Sequence, residues 1–406
     1  MSFLGWLDHD PDHEQAVLQS LAAAKGQDAR DELGLGTIRD TFSDCFFPGL
    51  SSVHQRLRYF LFVQWCCELA TKGTDEADIL RRLRTVEVDL IDKLADLGVG
   101  QHVIGIESRE DLERMPSDIY WTGLRVLGLL REPGGRRRWA RTVLERRHRM
   151  RDVPPVEGGA VPRADIGFDL SRPHMPPNFP QKGVTFQLER DERDFLRHRL
   201  SDACIDGPRQ CHQYNLFGTF SGHRKETDVT RAWDHPRVEK LKPAAHDLLM
   251  LGRAFSTVMY GAVILYNFRV ADLIVSNGGS VPARDRYVAE LGKWRDALEP
   301  RDVALVRDQL PEIRRLGDFT RHRIGDGPMN FARGWARLCE TPQRLLKDSR
   351  AGDFVCAREI ALKEHLGTSR FKSEKALLRW QGDSGVQLDY RWWVARQYLN
   401  DLATAR

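Results

Sequence analysis

AFSTVMYGAVILYNF, residues 254–268, is the longest apolar stretch of the chain and is bounded by Arg253 and Arg269. Its fifteen residues fall short of the ~20 that span a bilayer, and it contains Ser256, Thr257 and Asn267. It therefore reads as a core helix, apolar on every side and covered by other elements. A second stretch, SVHQRLRYFLFVQWCCELA (52–70), is polar at its start and apolar all round from Tyr59 onward, which makes it central to its own domain. Working outward, the helix holding 254–268 begins near Pro243. Three-to-four spacing predicts further helices near 283–298, 301–316, 328–340, 342–349, 352–365, 370–380 and 387–403. In the other direction, helices are expected from Asp10-Pro11 to Gly26 and from a capping-box-like start at Thr37 and Asp40 to Pro48-Gly49. Others run from Thr74 through Leu94, from Pro116 through Leu130, and from about Arg136 to Met150. HVIGI (102–106) and VTFQL (184–188) are the strand candidates. The expected fold is mainly α and multi-helical, with at most a few short strands.

Seven prolines lie between Pro154 and Pro180, with Gly158 and Gly159 adjoining, a composition that neither continues a helix nor fills a central strand. The domain expectation follows: an N-terminal helical domain over 1–150, a Pro-rich linker over 151–183, and a C-terminal helical domain over 184–406. At 406 residues and 41% apolar content the chain has material for two ordinary cores. Its seven cysteines, two of them adjacent at 66 and 67, imply no disulfide framework. MSFLGWLDHDPDHE at the start has no basic region followed by an apolar one, so no secretory signal is read there. The expected setting is the cytoplasm, with no membrane.

A net charge of +4 from 62 basic and 58 acidic residues is nearly neutral. The balance is uneven, however: 50 of the basic residues are Arg, and residues 131–151 (REPGGRRRWARTVLERRHRMR) hold nine of them against Glu132 and Glu145. On a helix, Trp139, Ala140, Val143 and Leu144 face inward and Arg137, Arg138, Arg141, Arg146 and Arg149 outward. A helix, a Gly-containing turn and a basic helix over 116–150 have the outline of a helix-turn-helix, and the arginines suit phosphate contact. The same face also fits a solvated surface on which Arg141, Glu145 and Arg149, four apart, pair with one another.

Other polar groups fit plain structural roles as well as functional ones. Gly34 and Gly36 precede a helix start, yet without a strand before or a Lys-Ser/Thr after them they mark a turn rather than a nucleotide site. Arg39, Asp40, Asp44 and Arg56 flank apolar stretches and read either as an internal ion-pair network or as a catalytic set. His9, Asp10, Asp12 and His13 crowd a helix entry. His198, Cys204, Cys211 and His212 lack the knuckle spacing of a zinc site. GDSG at 382–385 is a helix connector rather than a protease nucleophile. Arg358, Glu359, Lys363, Arg370, Lys372, Trp380, Asp389, Arg391, Trp392 and Trp393 combine bases with aromatics, as a nucleic-acid surface or a core face does. No metal or cofactor is assigned.

DELGLGTIRDTFSD from 31, RYFLFV with Trp65, SDIYW from 117, AFS-V-YGA-ILYN from 254 and LDYRW from 388 together resemble an uncharacterised bacterial family that carries a domain-of-unknown-function label. The resemblance implies a setting in phage-defence or DNA-processing gene clusters, beside helicases and phospholipase D-like nucleases, and implies no catalytic residue. The expectation is a non-catalytic accessory subunit that contacts DNA or RNA phosphates through the Arg-rich helix and binds protein partners. The alternatives are a metal-dependent nuclease or nucleotide hydrolase built on Asp40, Asp44, Arg39 and Arg56, and a purely structural adaptor.

Overall fold

The computed structural model describes residues 31–98, 100–151, 165–182, 184–204, 213–345, 349–382 and 385–405. In chain order its α-helices are α1 (Gly36–Phe46), α2 (Tyr59–Ala70), α3 (Glu76–Asp96), α4 (Pro116–Val126), α5 (Arg136–Arg151), α6 (Arg190–Asp202) and α7 (Phe217–Phe220). They continue with α8 (Pro243–Ser276), α9 (Arg284–Ala297), α10 (Pro300–Phe319), α11 (Asp326–Cys339), α12 (Ser349–Lys363), α13 (Glu374–Leu378) and α14 (Trp392–Ala403). Among the described residues there is no strand, only an isolated bridge between Leu130 and Phe168, so the fold is mainly α. The helix expected at Asp10–Gly26 lies outside the described residues.

Both strand candidates are irregular. In 102–106 the neighbours Val103 and Ile104 are both buried, Gly105 is left-handed (φ 76°), and the Ile104 N–H goes to the Tyr59 hydroxyl at 3.0 Å. Residues 184–188 do alternate, burying Val184, Phe186 and Leu188, but the Thr185 carbonyl accepts from Arg58 rather than from a neighbouring strand.

The chain forms two compact units. Among the described residues, the first takes those within 46–241 and 391–405, the second those within 31–45 and 242–390. This corrects the expected domains: the break does not fall at 151–183, and 184–241 belongs with the first unit. The described part of the Pro-rich stretch is packed rather than free. Ile166, Phe168 and Phe179 are buried, the Trp139 indole donates to the Ile166 carbonyl at 2.8 Å, and Phe179 meets the Trp65 ring edge-on at 5.3 Å. Proline excludes helix here but not burial.

In the first unit, α2 packs against α3 and α4, and α3 against α5. Helix α3 begins as expected after Thr74, with the Asp75 side chain accepting from Asp78 N–H and Asp78 from Thr74 N–H, a reciprocal cap worth ~1 kcal/mol. The expected helix-turn-helix departs from that motif, because α4 stops at Val126 and nine residues, 127–135, separate it from α5 instead of three or four.

In the second unit α8 is the axis, touched by α9, α10, α11 and α12. Side chains also bond its backbone: Tyr390 to the Gly252 carbonyl at 2.7 Å, Trp294 to Thr257 at 2.7 Å and Trp335 to Val258 at 2.8 Å. Among the described residues it is the one helix long and apolar enough to cross a membrane by length and composition, and 72% of that window is buried by protein. Helix α1 is capped differently from expectation. Thr37 lies inside it, and the capping carboxylate is Asp31, which accepts from the Leu35 and Gly36 N–H groups at 2.9 and 2.5 Å. The chain folds back to allow this at Gly34, whose φ of 66° suits glycine.

Candidate nucleic-acid interface

Helix α5 follows the left-handed Gly134 and is fastened by one side. Trp139 and Ala140 are fully buried and Val143 nearly so, with the Trp139 ring edge-on to Trp121 and Phe168. Three of its arginines reinforce that attachment. Arg136 pairs with Asp118 and donates to the Ser117 hydroxyl at 3.2 Å; Arg147 donates to the Thr71 and Gly73 carbonyls at 2.9 and 2.7 Å; Arg146 pairs with Glu132 and reaches Asp165 at 3.4 Å. Arg146 was expected on the outward face and is instead a half-buried bridge to two carboxylates. Its partners lie outside the helix, so helical spacing gave no sign of them.

Arg137, Arg138, Arg141 and Arg149 do face solvent. Arg141 lies 3.4 Å from Glu76 with its side chain 67% exposed, and Arg149 lies 3.8 Å from Glu145 at 75% exposed. Pairs this exposed contribute roughly 0–1 kcal/mol and exchange readily for another anion. The face therefore presents four guanidinium groups on a helix that cannot roll, since its opposite side is held by Trp139 and Arg147.

The alternative set is divided between the two units. Arg39 and Asp40 pair with each other on α1 at 3.1 Å, and Asp44, one turn on, bonds His322 Nε2 at 2.7 Å, all in the second unit. Arg56 belongs to the first unit, where it pairs with the buried Asp401 at 2.7 Å. Sequence spacing gives no sign of His322, which lies 278 positions from Asp44. No group of three or more His, Cys, Asp or Glu among the described residues is placed to hold a metal ion.

Of the zinc-type residues, Cys211 and His212 lie outside the described residues, as do His9, Asp10, Asp12 and His13. His198 pairs with Asp202 at 3.2 Å. Part of the C-terminal polar set is internal. Glu32 accepts from Lys363, from Arg370 at 2.6 Å and from the Tyr266 hydroxyl at 3.1 Å, while Glu359 accepts from Ser369 at 2.6 Å and the Arg370 N–H at 2.8 Å. Burial, then the neighbouring Glu32, pushes the Tyr266 hydroxyl up, and burial pushes Glu359 up. Two acids and two bases close on one another, as buried charges must.

The chain belongs to the family of unknown function DUF6361, matched over residues 1–406. No curated protein and no solved structure matches it. Membership agrees with the resemblance carried by the 31–65 and 254–267 blocks, and it assigns no role to any residue.

Proposed function

We propose that this protein is a non-catalytic, cytoplasmic subunit of a bacterial anti-phage or DNA-processing assembly, and that it contacts nucleic-acid phosphates through the outer face of α5. The observation that carries the reading is the division of labour along α5. Arg136, Arg146 and Arg147 tie the helix down, whereas Arg137, Arg138, Arg141 and Arg149 stand exposed, Arg141 and Arg149 beside loosely held carboxylates. Arginine on a rigid helix suits phosphate because its fork donates two parallel hydrogen bonds. A helicase or a phospholipase D-like nuclease is the kind of partner that the gene-cluster setting suggests.

The test is duplex-DNA affinity by fluorescence anisotropy across a salt series, for the wild type and Arg137→Ala/Arg138→Ala/Arg141→Ala. Three lost phosphate contacts should weaken binding and flatten the log–log salt slope by roughly 2.7. Equal affinity and equal slope would overturn the phosphate reading and leave the adaptor reading, in which the partners are proteins alone.

A further inference from the structure

The end of α8, the loop after it and the short helix α13 enclose a cavity in the second unit, away from α5. Its walls follow from local sequence. Helix α8 ends in a Schellman turn: Gly278 is left-handed (φ 84°), its N–H returns to the Val275 carbonyl at 3.0 Å, and the Gly279 N–H returns to the Ile274 carbonyl at 2.9 Å. A Cβ on Gly279 would lie 2.7 Å from the Ile274 side chain, so glycine is what lets the loop turn back so close to the helix. The other part of the wall begins where the Ser373 hydroxyl accepts the Ala376 N–H at 3.3 Å and starts α13. It ends where the Trp380 N–H closes on the Leu377 carbonyl at 3.0 Å. Trp380 is buried against Tyr287, with ring centres 6.3 Å apart, which fixes the indole in place.

The cavity holds about 540 Å³, within the range of small-molecule sites. Ile274, Val281, Leu377 and Trp380 make most of its surface apolar, and Leu378, 78% exposed, lets it reach solvent. Asn277, Ser280 and Gln381 add uncharged polar groups. Among the described residues of the lining, Glu374 carries the only charge. Its carboxylate has no hydrogen bond or ion pair among the described residues. Lys375 and Arg379, its basic neighbours on α13 and at the C-cap, do not line the cavity.

We infer that this cavity binds a small organic cation, with an apolar body against Ile274, Leu377 and Trp380 and a protonated amine on the Glu374 carboxylate. The charge of the lining sets the preference. An ammonium group gains a charge-assisted hydrogen bond from Glu374 and the company of an aromatic wall. A carboxylate on the same body would meet Glu374 with no cation in the described lining to offset it. A neutral body would keep the apolar contacts alone. Because Glu374 is exposed, its share of the affinity is roughly two- to fivefold, and most of the rest comes from apolar burial.

The experiment is equilibrium dialysis of the full chain, at low ionic strength, against three indoles of similar size and different charge: tryptamine, tryptophol and indole-3-acetate. Saturable binding of tryptamine is expected, with tryptophol weaker and indole-3-acetate weakest. Glu374→Gln should weaken tryptamine roughly two- to fivefold and leave tryptophol unchanged. Ser280→Trp, in the exposed loop, should fill the cavity and weaken all three, whereas Glu239→Gln, which removes equal charge in the first unit, should change none. Both test positions are exposed and outside the core, so neither variant depends on repacking. No saturable binding of tryptamine, or binding that Ser280→Trp leaves intact, overturns the site. Equal affinity for tryptamine and indole-3-acetate, or equal tryptamine binding by wild type and Glu374→Gln, overturns the preference for a cation. None of these outcomes bears on the α5 reading, whose variants lie in the first unit.

Discussion

Replacing Glu87 by Gln should stabilise the protein above neutral pH and leave it unchanged in acid. Glu87 lies on α3 with no exposure; one carboxylate oxygen accepts the Ser117 N–H at 2.6 Å and the other the Ser117 hydroxyl at 3.0 Å. Burial pushes this carboxyl from the ordinary 4.5 up to about 7, only partly opposed by the bonds from Ser117 and by the Arg136 guanidinium. Between those values the folded chain holds a proton that the unfolded chain has already released. Stability therefore falls as pH rises through the window, by about 1.4 kcal/mol per pH unit, or about 3 kcal/mol in all, and the group contributes no further slope above it.

Glutamine keeps the shape of the neutral acid. Its carbonyl accepts the Ser117 N–H, its amide donates to the Ser117 hydroxyl, and it never ionises. Paired urea unfolding curves at pH 4.5, 6, 7 and 8 should thus coincide at the acid end and diverge to about 3 kcal/mol in favour of Glu87→Gln by pH 8. Taking the difference between the two proteins removes the slopes of the other buried acids. Equal m-values would show that the change lies in stability rather than in the denatured state. A wild type that is the more stable at pH 8 would refute the reasoning, because Arg136 would then stabilise the carboxylate by more than burial disfavours it.

Other expectations follow from single contacts. Arg56→Ala leaves the Asp401 carboxylate buried with only the Leu57 N–H and the Gln397 amide, and should cost about 3–5 kcal/mol in thermal or urea unfolding; adding Asp401→Asn should recover much of it, which a catalytic role for Arg56 does not predict. Gly261→Ala would gain roughly 1 kcal/mol on an exposed helix, but a Cβ at this position of α8 would lie 2.2–2.4 Å from three Trp294 ring atoms. The sign should reverse to a loss of about 1–3 kcal/mol, accompanied by a change in near-UV tryptophan dichroism.

The helical architecture was open to sequence reading because each apolar surface repeats with the helical period. Residues 254–268, apolar on every side, mark a helix enclosed by four others. The inner and outer faces of α5 followed from the same period. What stayed hidden depends on residues distant in sequence. Nothing within 136–151 shows that Arg146 meets Glu132 and Asp165 or that Arg147 meets Thr71 and Gly73, and Asp44 gives no sign of His322. The Pro-rich stretch misled for a different reason. Its prolines announce irregular backbone, while the clue to its packing lay in the few large apolar residues between them, Ile166, Phe168 and Phe179.

The division of the chain into units has a consequence for its synthesis. Helix α14 closes the first unit, yet residues 242–390 of the second unit are translated between that helix and the rest of its own core. The Arg56–Asp401 pair joins positions 345 residues apart. At ribosomal speeds of about 5–20 residues per second, Arg56 waits roughly 20–70 s for its carboxylate. During that interval the site that Asp401 and Tyr398 will fill stands open beside the emerging chain. The second unit therefore has all of its described residues by position 390, whereas the unit that carries the α5 face is completed only by α14.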